Sequence, residues 1–299
     1  MYILNMLNLG FIGTGVMGEP MCSHLMDKCE NMFIYTRTKS KAESLIARGA
    51  IFCSSPKEVS QRADIIFTIV GYPKDVREVY LSDEGLVKGA RKGQLFCDMT
   101  TTKPSLDIEI SKELEKYGAT LVDAPVSGGD VGAKNGTLTI MCGGSDDDIN
   151  RLMPYFEVLG KNVTHMGGVG SGQHTKMCNQ IVIAGTMAGV SESLVYGAVA
   201  GLDIEKMVGC IRKGAAGCWT LDNLAPRVIA HNFNPGFMID HFIKDMSIAL
   251  EESERMGLAL PSLSLTKQLY LAIQAQGMGK NGTQALVKAI EKLSGKEVL

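Results

Sequence analysis

The period of hydrophobic and polar positions changes once along the chain, near residue 170. Before it, short apolar runs read as buried strands at Asn8–Ile12, Asn31–Tyr35, Ala50–Cys53, Asp64–Val70, Gln94–Asp98, Ala119–Asp123, Gly136–Cys142 and Asn162–His165. Segments with helical spacing lie between them at Glu19–Lys28, Ser40–Arg48, Pro56–Gln61, Asp75–Tyr80, Pro104–Tyr117 and Asp146–Phe156. Buried strands alternating with helices predict a doubly wound, mainly parallel α/β sheet. After residue 170 no strand pattern remains, and helices are predicted over 172–200, 203–213, 218–230, 240–257, 261–276 and 282–293. The glycines Gly167, Gly168, Gly170 and Gly172 mark the change, dividing the chain into an α/β domain, 1–169, and an all-α domain, 170–299.

The all-α half opens with one long interdomain helix running from Gly170 to about Ala200. Ser171 or Gly172 can cap it, and no proline interrupts it. It is apolar nearly all round, which predicts a buried helix. Lys176 and Asn179 are set into it three residues apart, on one face. A lysine in apolar surroundings is costly unless it is paired or used, although one this close to the start of the helix can also reach water.

Composition narrows the function classes. The 299 residues are 45% hydrophobic and 21% charged, with a net charge of −2, as in ordinary soluble globular proteins. There is no basic stripe for nucleic acid. The eight cysteines are scattered without a CxxC pair, which argues against a disulfide framework or a metal site and for a reducing, cytoplasmic compartment. Met1–Leu7 lacks the basic region of a signal peptide. The long helix comes nearest to a membrane span, but its serine, glutamate and glycines mark it as a core helix, so no membrane partner is expected.

The candidate chemistry sits at strand ends. Gly13-Thr14-Gly15-Val16-Met17-Gly18 follows the first strand and opens a helix, the context that the dinucleotide fingerprint requires. Its glycines allow a tight turn, backbone approach to a pyrophosphate and close packing of helix on sheet, with the helix N-terminus facing the phosphates. After the second strand the chain reads Thr36-Arg37-Thr38 where an NAD site would present an acid to the ribose. A guanidinium among hydroxyls suits a 2′-phosphate, which favours NADP over NAD. The threonines of Asp98-Met99-Thr100-Thr101-Thr102 could meet the cofactor or cap the next helix. Ser127-Gly128-Gly129 can form an anion nest or be a plain tight turn. In the second half, Lys244-Asp245 begins a helix; as an i, i+1 pair the two should reach different partners.

Taken in order, four motifs resemble the β-hydroxyacid dehydrogenase family, which includes 3-hydroxyisobutyrate dehydrogenase and tartronate semialdehyde reductase. They are Gly10-Phe-Ile-Gly13-Thr-Gly15-Val-Met-Gly18, Asp123-Ala-Pro-Val-Ser127-Gly128-Gly129, Gly170-Ser-Gly172-Gln-His-Thr-Lys176-Met-Cys-Asn179, and Lys244-Asp245. The resemblance spans essentially the whole chain and implies a Rossmann domain followed by an all-α domain. It implies that Lys176 is the catalytic lysine, that Asn179 and the Ser127–Gly129 loop bind substrate, and that Thr101, Lys244 and, less directly, Phe237 touch the cofactor. Gln180 departs from the pattern, since many relatives carry a second asparagine there. Related imine reductases usually lack the lysine.

The implied reaction moves a hydride between the nicotinamide and a small carboxylate-bearing hydroxy acid or its semialdehyde. Lys176 would exchange the hydroxyl proton, a role helped if burial lowers its pKa. No metal is needed. The apolar second half predicts a homodimer or homotetramer. The alternative is a cofactor-binding module of the same fold without turnover, and loss of the lysine would be its sign.

Overall fold

The computed structural model describes residues 7–299; the Met1–Met6 part of the N-terminal stretch lies outside the described residues. The chain separates into two compact units, one up to Lys176 and one from Met177 to Leu299.

In the first unit a strand and a helix alternate. The order is β1 (Leu9–Ile12), α1 (Gly18–Leu25), β2 (Met32–Tyr35), α2 (Glu43–Ala47), β3 (Ile51–Phe52), α3 (Pro56–Arg62), β4 (Ile65–Thr68), α4 (Pro73–Leu81), β5 (Leu95–Asp98), α5 (Pro104–Glu115) and β6 (Thr120–Asp123). These strands form a six-stranded sheet in the order β3-β2-β1-β4-β5-β6, parallel at every pairing. The order reverses at β1, and ligands of open α/β sheets sit at such switch points, beyond the carboxyl ends of the strands. Side chains alternate across the strands: Leu9, Phe11, Ile65, Phe67, Leu95 and Cys97 enter one core, and Ile12, Ile66 and Phe96 enter the other. Burial on both faces explains why the strands are apolar runs rather than alternating ones. Proline at the first turn starts α3, α4 and α5, and Ser55 caps α3 by accepting from Glu58 N.

The chain then turns into a smaller sheet. It contains β7 (Val126–Ser127), α6 (Gly129–Asn135), β8 (Leu138–Cys142), α7 (Asp146–Leu159) and β9 (Gly160–His165), in strand order β7-β8-β9. The β7–β8 pairing is antiparallel and β8–β9 parallel. The sequence pattern does not reveal β7 or α6, because a two-residue strand and a glycine-rich helix carry no periodicity.

The long helix is α8 (Ser171–Val199). The helix starts at Ser171 itself. Asp123, at the end of β6, accepts from Gly170 N and Gln173 N at 2.7 Å each, so a strand-end carboxylate meets the positive end of the helix. Nor is α8 buried all round: a stripe including Ala184, Met187, Val190 and Leu194 is buried, while Val182, Tyr196 and Val199 are exposed. By length and composition α8 could cross a membrane, but its buried stripe belongs to the core of the second unit.

That unit continues with α9 (Ile204–Ile211), α10 (Trp219–Asn223), α11 (Ala225–Ile229), α12 (Ile239–Arg255), α13 (Pro261–Gln274) and α14 (Val287–Ser294). The single helix expected over 218–230 is two, because Pro226 has no N–H to donate back to the preceding turn. The helix expected from 282 starts as a 3-10 turn, Thr283–Leu286. Phe242 and Tyr270 meet edge to face at 5.2 Å in the middle of the core, and the Tyr270 hydroxyl donates to Thr283 O.

Candidate active site

The glycine loop connects β1 to α1 at the switch point. A Cβ on Gly18 would lie 1.8 Å from Gly13 O, so this glycine is required by the turn itself. Gly15 is different, since a Cβ there would meet nothing within 4 Å. The protein leaves that side of the loop open, as backbone approach by a pyrophosphate needs. Two further features fit an anionic ligand. The Thr14 hydroxyl is buried without a hydrogen-bond partner, and α1 has no side-chain cap. Val16 is exposed and Met17 half-buried on the same loop.

Beyond β2, Thr36 is half-buried while Arg37 and Thr38 are exposed. No acid follows β2 in the sequence, but the fold brings one. Asp75, in the first turn of α4, lies 3.0 Å from the Arg37 guanidinium and is itself buried. Its other oxygen accepts from Tyr72 N, so the carboxylate is fixed by the helix start. The sequence carried a signal for Asp75 only in its place three residues after Tyr72, ahead of an apolar helix face.

The threonines after β5 do not cap the next helix, since α5 has no side-chain cap. Thr100 and Thr102 are buried: Thr100 Oγ1 accepts from Val70 N and Thr102 N donates to Gln173. Thr101 is half-buried between them.

Behind these strand ends lies a group of three carboxyls that sequence reasoning missed. Asp98, Asp107 and Asp123 are all fully buried. Asp98 accepts from Thr68 Oγ1 and Thr100 N, while Asp107 accepts from Gln173 Nε2 at 2.9 Å. Asp98 Oδ2 and Asp107 Oδ1 have no hydrogen-bond partner, so neither buried oxygen has a donor to offset a negative charge. Burial pushes Asp98 and Asp123 up to about 6 and Asp107 well above the usual carboxylate range, with the charge of Asp98 adding to the last. Gln173 ties this group to the start of α8 through Thr100 O, Asp107 and Thr102 N. Gly172 packs against Asp123, and a Cβ there would lie 2.3 Å from Met141 O.

Three residues after Gln173, Lys176 is 6% exposed and donates to Val126 O at 2.8 Å. Val126 precedes Ser127, so the first unit brings the lysine and the Ser127–Gly129 loop together. Ser127 is half-buried, and Gly128 and Gly129 have φ of 132° and 62°. This is the positive-φ backbone a nest uses, and other residues rarely adopt it.

In the second unit a chain of polar contacts runs through four side chains. Asn179 Nδ2 donates to Gln180 Oε1 at 2.7 Å, and Gln180 Nε2 donates to Asp245 Oδ2 at 2.6 Å. Lys244 Nζ lies 3.0 Å from Asp245 Oδ1. Lys244 and Asp245 thus pair with each other, contrary to the expectation that they reach separate partners; a flexible four-carbon stem lets the ammonium reach the neighbouring carboxylate. Phe237 is exposed, with its ring stacked on His241 at 6.5 Å. No group of three or more histidine, cysteine or acidic side chains suited to a metal occurs among the described residues.

A Rossmann sheet with an open glycine loop at its switch point and a buried lysine beside the Ser127–Gly129 loop, followed by a helical unit, defines a nicotinamide-dependent oxidoreductase. Comparison with known proteins agrees. Residues 8–168 match the model of the NAD-binding domain of 6-phosphogluconate dehydrogenase, and residues 170–290 that of the NAD-binding domain of NADP-dependent 3-hydroxyisobutyrate dehydrogenase. The chain is 50% identical to the uncharacterized oxidoreductase YkwC of Bacillus subtilis, over 94% of this chain and 97% of that protein. It is 48% identical to the probable mitochondrial 3-hydroxyisobutyrate dehydrogenase-like 1 of Arabidopsis thaliana, over 97% and 87%. The solved structure of Mycobacterium tuberculosis 3-hydroxyisobutyrate dehydrogenase with L-serine is similar at a TM-score of 0.88 and 27% identity, covering 95% of this chain and 99% of that one. The chain belongs to the β-hydroxyacid dehydrogenase family, whose members are NAD(P)-dependent oxidoreductases of CH–OH groups.

Proposed function

We propose that the protein interconverts a small hydroxy acid and its semialdehyde with NADP(H), using Lys176 as general acid and base. The observation that carries this reading is the environment of Lys176, buried and hydrogen-bonded to Val126 O beside the Ser127–Gly129 loop. The names of relatives, 3-hydroxyisobutyrate dehydrogenase among them, support the substrate class.

The nicotinamide, when bound, exchanges a hydride with the carbon that carries the hydroxyl. Lys176 handles the proton. In reduction its ammonium donates to the developing alkoxide, and in oxidation its neutral amine takes the hydroxyl proton. The bond to Val126 O holds the amine on the side where Ser127 lies. Ser127, Gly128 and Gly129 would receive the substrate carboxylate on backbone N–H groups and the serine hydroxyl. Asn179 would orient the substrate by hydrogen bonding. The loop Gly13–Gly18 would hold the pyrophosphate, with the Thr14 hydroxyl and the start of α1 supplying donors. Arg37, with Thr36 and Thr38 beside it, would bind the 2′-phosphate; Thr101, Phe237 and Lys244 complete the proposed cofactor contacts.

The test is steady-state kinetics on a panel of short hydroxy acids and semialdehydes with both cofactors. Lys176→Ala should lower kcat about 10²–10⁴-fold, the usual worth of a positioned acid or base, with cofactor affinity unchanged. Lys176→Arg should not restore activity, since guanidinium keeps its proton near neutral pH. Near wild-type turnover by folded Lys176→Ala protein would reject the mechanism.

A further inference from the structure

Gln180 stands between a buried charge and the side chain proposed to meet substrate. It is 2% exposed and uses both ends of its amide. The Asp245 carboxylate can only accept, so the Gln180 NH₂ must face it. The Gln180 carbonyl must then face Asn179, and Asn179 must turn its own NH₂ inward. One ionised oxygen pair therefore dictates the polarity of two successive amides. The other oxygen of Asp245 pairs with Lys244 at 3.0 Å. The length of the side chain matters too. Gln180 spans from its own helix to α12 while keeping 2.6 and 2.7 Å bonds at its two ends.

We propose that Gln180 is a positioning residue that passes the fixed polarity of Asp245 to Asn179, so that Asn179 offers its carbonyl oxygen and one N–H to the substrate. This rests on the reading of Asn179 as a substrate contact.

Two substitutions separate positioning from mere packing. Gln180→Met keeps the volume and removes both hydrogen bonds. Gln180→Glu keeps both only while the new carboxyl is protonated, because it must donate to Asp245 and accept from Asn179. The charged and titratable groups around position 180 and Asp245 are Lys176, one turn earlier on α8, and Lys244 and His241 on α12, with Asp240 and Lys280 next to His241. None of them is altered in either variant. The probe is 3-hydroxyisobutyrate, measured as oxidation with NADP⁺ and as calorimetric binding to the NADP⁺-loaded protein, with circular dichroism to verify the fold.

Gln180→Met should raise KM and Kd for the acid about tenfold, the worth of one hydrogen bond, and change kcat less than about threefold. Adding it to Asn179→Ala should have no further effect. Gln180→Glu should bind near wild-type strength at low pH and weaken as its carboxyl ionises, a limb absent from the wild-type profile. Should Gln180→Met fail to fold, the pH limb of Gln180→Glu decides alone. If Asn179→Ala weakens binding while the Gln180 variants match wild type at every pH, the positioning role is overturned and the site reading stands. If Asn179→Ala has no effect, or the wild-type protein neither binds nor oxidises the acid, the underlying reading falls and this proposal with it.

Discussion

At the scale of single residues, the proposed cofactor preference rests on Arg37. Its guanidinium is 68% exposed yet held at 3.0 Å by the buried Asp75. An exposed ion pair of this kind adds little stability. Its consequence is geometric: Asp75 limits where the guanidinium can go, and most of its N–H groups still face solvent, where a 2′-phosphate would lie. Arg37→Asp would place a second acid beside Asp75 and repel that phosphate. It should cost NADPH relative to NADH about 10–100-fold in kcat/KM, the worth of a charge-assisted hydrogen bond. Cofactor kinetics on the purified variant give the answer, and a preference for NADH that ignores this substitution would remove Arg37 from the reading. The pairing of Asp75 with Arg37 was invisible from the sequence, because the two are 38 positions apart and only the fold joins them.

At the scale of elements, the order of strands and helices was legible because burial on both faces leaves unbroken apolar runs, as in Ile65–Thr68 and Leu95–Asp98. The glycine loop was legible because its spacing carries geometry. What stayed hidden depends on tertiary neighbours. The cap of α8 comes from Asp123, 47 residues before Gly170. The burial of Asp98 and Asp107 arises only when the end of β5 meets the first turns of α5. That burial gives a stability prediction. Asp98 and Asp107 bind protons more tightly folded than unfolded, so between pH about 4 and about 6 the native state holds protons the unfolded chain has lost. The contribution of Asp98 is full below pH about 4 and declines as pH rises through about 6, by roughly 1–3 kcal/mol, and that of Asp107 declines in the same sense. The carboxylates held low by their partners, such as Glu109 beside Arg77 and Asp240 beside Gln274 and Lys280, act in the opposite sense and in a more acidic range. Asp107→Asn supplies a permanent N–H toward Asp98 and still offers oxygen to Gln173. Urea unfolding at pH 5 and pH 7.5 should show a smaller loss of stability with pH in Asp107→Asn than in wild type. Equal losses would mean that Asp107 does not bind its proton more tightly in the folded state.

At the scale of the whole molecule, exposed apolar surface is unequally distributed. Eleven large hydrophobic side chains are exposed between residues 177 and 299, against six among the described residues before them, although the second unit is the smaller. On α8 they form one stripe with Val182, Tyr196 and Val199, between which Gly185 and Gly189 would let another helix come close. A helix apolar all round suits burial on all sides. The chain by itself covers only part of α8, so the expectation of a fully buried helix points to a second copy as the missing cover. Self-association would also account for Trp219 and Leu265, at 65% and 63% exposed, in the same unit. We therefore expect a mass by light scattering of at least twice 32.2 kDa at micromolar concentration. Replacing Val182 and Tyr196 together by glutamate should shift the protein toward monomer, because two unpaired charges cannot be buried in an apolar contact without a large cost. A wild-type monomer would leave the stripe unexplained. An oligomer that survives the double substitution would move the interface away from α8, to the other exposed apolar side chains of the helical unit.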